Sequence, residues 1–154
     1  MSEEFKAWPK IPRSCGENVV ITEKMDGTNS CIVIRDVVIV GVQSRKRFIT
    51  PEDDNYGFAT WVKANEESLL SLGEGHHYGE WVGPGIQKNP HNLLEKRLFL
   101  FNTFRWNENN PQLPSCCSVV PVLYNGELED ITLELEMAAL KIKSLEAGYV
   151  PEGL

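Results

Sequence analysis

Three apolar, β-branched runs crowded near the N-terminus constrain this chain most: Asn18 to Glu23, Ser30 to Arg35 and Val37 to Gln43. Valine and isoleucine suit a pleated, half-buried surface, so each run reads as a strand. Arg35-Asp36 marks a tight hairpin between the last two, although it lacks the favoured Asn-Gly turn. Strands joined by a hairpin are antiparallel.

The rest of the chain alternates helix and strand signals. Pro51 to Gly57 is a loop with possible N-caps, and residues 58–72 read as a helix that Gly73 stops. His76 to Val82 is a strand that Gly83-Pro84-Gly85 breaks. Arg97 to Trp106 reads as one apolar, aromatic strand, residues 107–115 as a polar loop, and Ser118 to Tyr124 as a further strand. Asp130 to Leu145 is the clearest helix, with Ile131, Leu135, Ala138, Ile142 and Leu145 at steps of four and three. The expected class is α+β, antiparallel strands with helices packed on their faces. Residues 1–17 read as an N-terminal arm that Phe5 and Trp8 could pin to the body.

Composition narrows the function. Hydrophobic residues make up 42% and charged residues 24%, a soluble globular balance. No apolar run approaches the ~20 residues of a membrane span, and the start lacks a signal peptide's basic and apolar regions. Cys15, Cys31, Cys116 and Cys117 show no zinc or disulfide spacing, which suits reduced thiols in the cytoplasm. A net charge of −7 argues against a surface that grips nucleic acid all over, but not against a local basic groove. Residues 44–48 and Lys88 to Lys96 are the local positive islands.

The chemistry concentrates at Glu23-Lys24-Met25-Asp26-Gly27-Thr28-Asn29. On a strand, Lys24 and Asp26 would share a face. Gly27 then permits a bend or a close backbone approach. An amine beside a carboxylate at the mouth of a sheet suits a lysine nucleophile, and equally an ordinary surface ion pair worth about 0–1 kcal/mol. Further pieces follow in order: Arg45 within Ser44-Arg45-Lys46-Arg47, Tyr78-Gly79-Glu80, Gly83-Pro84-Gly85-Ile86-Gln87, Phe101 and Glu152-Gly153.

This ordered series resembles the covalent nucleotidyltransferases, and within them the RNA ligases. Lys24 to Gly27 is similar to that family's motif I, Arg45 to motif Ia, Tyr78-Gly79-Glu80 to motif III, the Phe101 segment to motif IIIa, and Glu152-Gly153 to motif IV. The resemblance covers roughly residues 18–154. Asn29, two residues after the motif I glycine, matches the RNA ligase pattern; DNA ligases usually have arginine there.

The resemblance implies an ATP-grasp-like nucleotidyltransferase domain over residues 18–154, with two antiparallel sheets around a nucleotide cleft. It implies Lys24 as the catalytic residue, attacking ATP to form a lysine–AMP intermediate. Nucleotide binding would fall to Glu23, Lys24, Asp26, Gly27, Asn29, Arg45, Glu80, Phe101 and Glu152. Magnesium or manganese would be held by Asp26 and Glu152, directly or through water. AMP would pass to an RNA 5′-phosphate, and an RNA 3′-hydroxyl would then seal the strand. A lysine has a reference pKa of ~10.4, and making it half neutral near pH 7–8 takes on the order of 4 kcal/mol. Desolvation and nearby cations push that way, whereas Asp26 opposes it.

The family continues past motif IV into a strand with a Lys-x-Lys pair that contacts the triphosphate. Lys141-Ile142-Lys143 precedes motif IV and lies on the predicted helix, so it does not serve. The expectation is therefore a chain weak or inactive in adenylylation by itself, completed by a further C-terminal segment or a partner chain. The alternatives are a non-catalytic nucleotide-binding module, and a DNA ligase or capping-type nucleotidyltransferase.

Overall fold

A computed structural model describes residues 3–8 and 18–127. The helix expected over Asp130 to Leu145, Glu152-Gly153 and most of the N-terminal arm lie outside the described residues.

The fold is α+β, as expected. The strands are β1 (Asn18–Thr22), β2 (Thr28–Arg35), β3 (Val38–Ser44), β4 (Gly75–Val82), β5 (Arg97–Leu100), β6 (Cys117–Val119) and β7 (Val122–Glu127). They form a five-stranded sheet of order β3-β2-β4-β5-β6 and a two-stranded sheet β1-β7. All pairs are antiparallel except β5-β6. The hairpin between β2 and β3 turns through Asp36 and Val37, with φ of 51° and 61°. Two positive φ values give the turn a twist that matches the strands, here without Asn-Gly.

Three expected elements are shorter than their apolar patterns. The helix over residues 58–72 is divided into α1 (Phe58–Ala64), α2 (Glu66–Leu69) and a 3-10 turn (Leu70–Leu72). The break falls at Asn65, whose side-chain amide donates to the Trp61 carbonyl at 2.8 Å. That local bond competes with continuation of the helix. Gly73, with φ of 81°, ends the run as expected. The strand expected through Trp106 stops at Leu100. There the Asn102 side chain accepts from the backbone N–H groups of Phe104 and Arg105, curling the chain into a turn. The strand expected over Ser118 to Tyr124 is divided between β6 and β7, which lie in different sheets. Pro121, between them, has no N–H for a ladder.

Strand alternation gives the large sheet two unlike faces. One carries Ile32, Ile34, Trp81, Leu98 and Leu100 against Phe58, Val62, Leu69 and Leu72 from the helical segment. All nine are buried, and they form the main core. The Trp81 indole donates to the Tyr56 carbonyl at 3.0 Å, which removes the cost of burying its N–H. The opposite face carries Asn29, Cys31, Tyr78 and Glu80, with Asn29 paired to Glu80 and Cys31 to Tyr78. A second cluster of Met25, Val82 and Val120, with Leu93 and Phe99 against it, joins that face to the segment after β1.

Candidate active site

Glu23 to Gly27 is the segment between β1 and β2, not part of a ladder. One bond extends β1's course: the Glu23 N–H donates to the Pro121 carbonyl at 3.0 Å. Burial nevertheless alternates as on a strand. Ile21, Glu23 and Met25 are buried, whereas Lys24 is exposed and Asp26 half-buried. Lys24 and Asp26 thus share the more open side, as the spacing requires. Gly27 is needed for a close approach: a Cβ there would collide with the Trp81 carbonyl oxygen. The neighbour is the chain's own strand β4, where the sequence left open a ligand.

The segment is gripped from below by residues that follow β4. The Gln87 amide donates to the Gly27 carbonyl at 3.2 Å. The Asp26 N–H donates to His91 Nε2 at 3.1 Å. His91 Nδ1 lies 3.7 Å from a Glu23 carboxylate oxygen, with both side chains only 5% exposed. An Nε2 that accepts a hydrogen bond carries no proton, so the ring's proton sits on Nδ1, facing Glu23. Sequence reasoning missed His91 entirely. A lone histidine in a proline- and asparagine-rich loop, 65 residues from Asp26, gives no periodic signal.

Of the other expected site residues, Asn29 and Glu80 stand directly opposite each other on β2 and β4. Phe99 is the partner of Glu80 on β5. Arg45 is exposed in the bend after β3, one residue past the Ser30–Ser44 pair. Lys46 and Arg47 beside it are exposed too, and Arg47 is engaged with Asp53 at 2.9 Å. Lys96, in the second island, donates to the Tyr56 carbonyl at 2.9 Å.

Phe101 lies past the end of β5, held by its N–H to the Tyr78 carbonyl at 3.1 Å. Its ring meets Trp8 edge-on at 5.6 Å, and Trp8 meets Tyr78 at 5.0 Å. Trp8 therefore does pin the arm to the body, together with Glu3 on Arg35 and Phe5 on Phe48. Phe101 also lines an open hollow of about 230 Å³ with His76, Tyr78, Asn102, Arg105 and Trp106. None of Lys24, Asp26, Asn29 or Glu80 lines that hollow.

His76 and His77 point to opposite faces. His77 is buried on the core side, with Nε2 2.7 Å from the Gly73 carbonyl, and burial holds its pKa below the usual 6.5. His76 stacks on Tyr78 at 6.0 Å, and burial, then the Arg35 cation, lowers its pKa too. Burial pushes the Cys31 thiol, also on the Asn29 face, up to about 12.

Among the described residues, no group of three histidine, cysteine or carboxylate side chains could hold a metal. Asp26 therefore belongs to no such group, and Glu152 lies outside the described residues. The lack of a larger cluster suits magnesium, which is usually held by one or two carboxylates, water and substrate phosphates. No described helix is long and apolar enough to cross a membrane.

A family model described as RNA ligase matches residues 17–154. No curated protein matches the chain. Among solved structures, the fold is similar to that of Naegleria gruberi RNA ligase. A mutant of that ligase with ATP and Mn superposes with a TM-score of 0.63 at 22% identity. A second mutant with ATP and Mn gives 0.61 at 24%, and the ligase with PPi gives 0.60 at 23%. Each match covers 90% of this chain and 45% of the ligase, so the chain spans less than half the length of the protein it matches.

Proposed function

The chain belongs to the RNA ligase family, and from that premise we propose that it is an ATP-dependent, RNA ligase-like enzyme that works through a lysine–AMP intermediate. The carrying observation is the Glu23–Gly27 segment. Its flanking side chains Glu23 and Met25 are buried, its backbone is held by His91 and Gln87, and Lys24 is left exposed above it. A fixed backbone under an exposed amine is what orientation of a nucleophile requires.

In the first step the Lys24 Nζ attacks the α-phosphorus of ATP. An N–P bond forms, the bond from that phosphorus to the bridging oxygen breaks, and pyrophosphate leaves with the electron pair. The amine's proton goes to solvent. Lys24 is exposed, so removal of water from its amine falls to the bound nucleotide. Asn29 and Glu80, opposite each other on the sheet, form the floor on which the ribose is read. Arg45 supplies a planar cation for a phosphate. Asp26 would hold magnesium or manganese through water, and the metal's contribution is to neutralise triphosphate charge. Phe101 stacks on adenine in this reading, and Glu152 completes the site.

AMP then passes from Lys24 to a 5′-phosphorylated RNA end. A 3′-hydroxyl attacks that phosphate, the new phosphodiester forms and AMP leaves. We treat residues 18–154 as the nucleotidyltransferase domain and residues 1–17 as its arm. The free thiols Cys31, Cys116 and Cys117 support a reducing compartment such as the cytoplasm.

Incubation with ATP labelled at the α-phosphate tests this. The expected result is weak label on the protein, absent in Lys24→Ala and absent with GTP. Tight ATP binding with no covalent label would instead identify a non-catalytic nucleotide-binding module.

A further inference from the structure

We propose that His91 is a positioning residue for Lys24, acting through the backbone of Asp26. The proposal rests on the adenylylation reading above and extends it to a residue outside the motif series.

The geometry is a buried relay with one polarity. The Asp26 N–H donates to His91 Nε2 at 3.1 Å, and the ring's other nitrogen faces Glu23 at 3.7 Å. Lys24 lies between the two residues that His91 touches. Fixing the chain on both sides of Lys24 fixes the direction in which its side chain leaves the backbone. A buried Glu23 carboxylate prefers a donor beside it, so it favours the tautomer with the proton on Nδ1. That tautomer leaves Nε2 free to accept from Asp26.

The loop bearing His91 is itself held in place. Asn89 Nδ2 donates to the Leu93 carbonyl at 3.0 Å, and its Oδ1 accepts from the Leu93 N–H at 3.2 Å. Gln87, Asn89 and Asn92 adopt φ of 50°, 47° and 53°. Positive φ is uncommon for residues other than glycine, and asparagine tolerates it best. Leu93 packs against the Met25 cluster, and Gln87 reaches the Gly27 carbonyl. Residues 83–93 thus hold the Lys24 segment at Asp26 and Gly27 and pack against the cluster that contains Met25.

Three variants separate positioning from folding. His91→Leu fills the space without an acceptor, His91→Ala empties it, and His91→Gln keeps an amide oxygen near the Nε2 position and an N–H for Glu23. In single-turnover adenylylation of the full chain, Leu and Ala are expected to slow the chemical step by about tenfold or more, with ATP affinity changed by less than about threefold. Gln is expected to recover most of the rate. Equal rates in Gln and Leu, or an unchanged rate in Ala, would overturn the proposal. A second measurement stands apart from activity: hydrogen exchange of the Asp26 amide is expected to be slow in wild type and Gln and faster in Leu. If wild type takes no label on Lys24, the functional reading fails. The Asp26 amide still decides whether His91 holds the segment, and exchange that is equally slow in Leu would contradict it.

Discussion

The two faces of the five-stranded sheet are made from the same strands and do opposite work. Neighbouring residues on β4 show the contrast. Trp81 is buried among Phe58 and Trp61, with ring centroids at 5.2 and 4.9 Å. Glu80, one residue earlier, faces the side that holds Asn29. The core face is apolar, closed by α1 and α2, and carries the stability. The other face keeps an amide, a carboxylate and a phenol half-buried at Asn29, Glu80 and Tyr78, around the buried Cys31 thiol. Period-two alternation lets one strand serve both purposes.

Three substitutions would break or sharpen that contrast, and the largest expected effect is in the core. Trp81→Ala removes a buried tryptophan from the core and is expected to cost about 3–5 kcal/mol in denaturant unfolding. Its neighbour Glu80→Ala is expected to leave stability within about 1 kcal/mol while weakening adenylylation. Equal destabilisation by the two would dissolve the distinction between faces. Gly27→Ala tests the junction between them, because its methyl group meets the Trp81 carbonyl. It is expected to destabilise by about 1–3 kcal/mol and to displace the Lys24 segment, so that adenylylation falls more steeply than stability alone explains. Comparison of single-turnover rates with thermal melts checks it.

Asp54→Ala, in the loop ahead of α1, is the control. Its carboxylate accepts from the N–H groups of Ala59 and Thr60 at 2.8 and 3.0 Å, and from the Thr60 hydroxyl at 2.7 Å. Partial burial pushes its pKa up, but these hydrogen bonds outweigh burial and hold it below the usual 3.8. The substitution is expected to cost about 1 kcal/mol and to leave the adenylylation rate unchanged. Because the folded-state pKa is depressed, this contribution is present above the ordinary carboxylate value and lost as pH falls through the folded one. The gap in melting temperature between wild type and Asp54→Ala is therefore constant near neutrality and closes only in strong acid.

Much of this division was legible in the sequence, for reasons that particular residues make plain. The valine and isoleucine runs gave β1 to β3 to within two residues at each end, and Gly73 and Gly83 bounded β4. Apolar content misled where one side chain redirected the backbone. Asn65 broke the helix, Asn102 ended β5 before its aromatic run was over, and Pro121 divided one expected strand between two sheets. A hydrophobic pattern carries none of those local hydrogen-bonding choices. The site followed the same rule. Lys24, Asp26, Asn29 and Glu80 stood in a readable order, whereas His91 was invisible because its importance lies in two contacts across 65 residues of chain.

The central claim is that the open face presents Lys24 as the acceptor of AMP. The most direct measurement is to incubate the full chain with ATP and magnesium or manganese, digest it, and locate any nucleotide adduct by mass spectrometry. The expected result is a single AMP on the peptide containing Lys24. An adduct on another residue, or bound ATP with no adduct at all, would contradict the account.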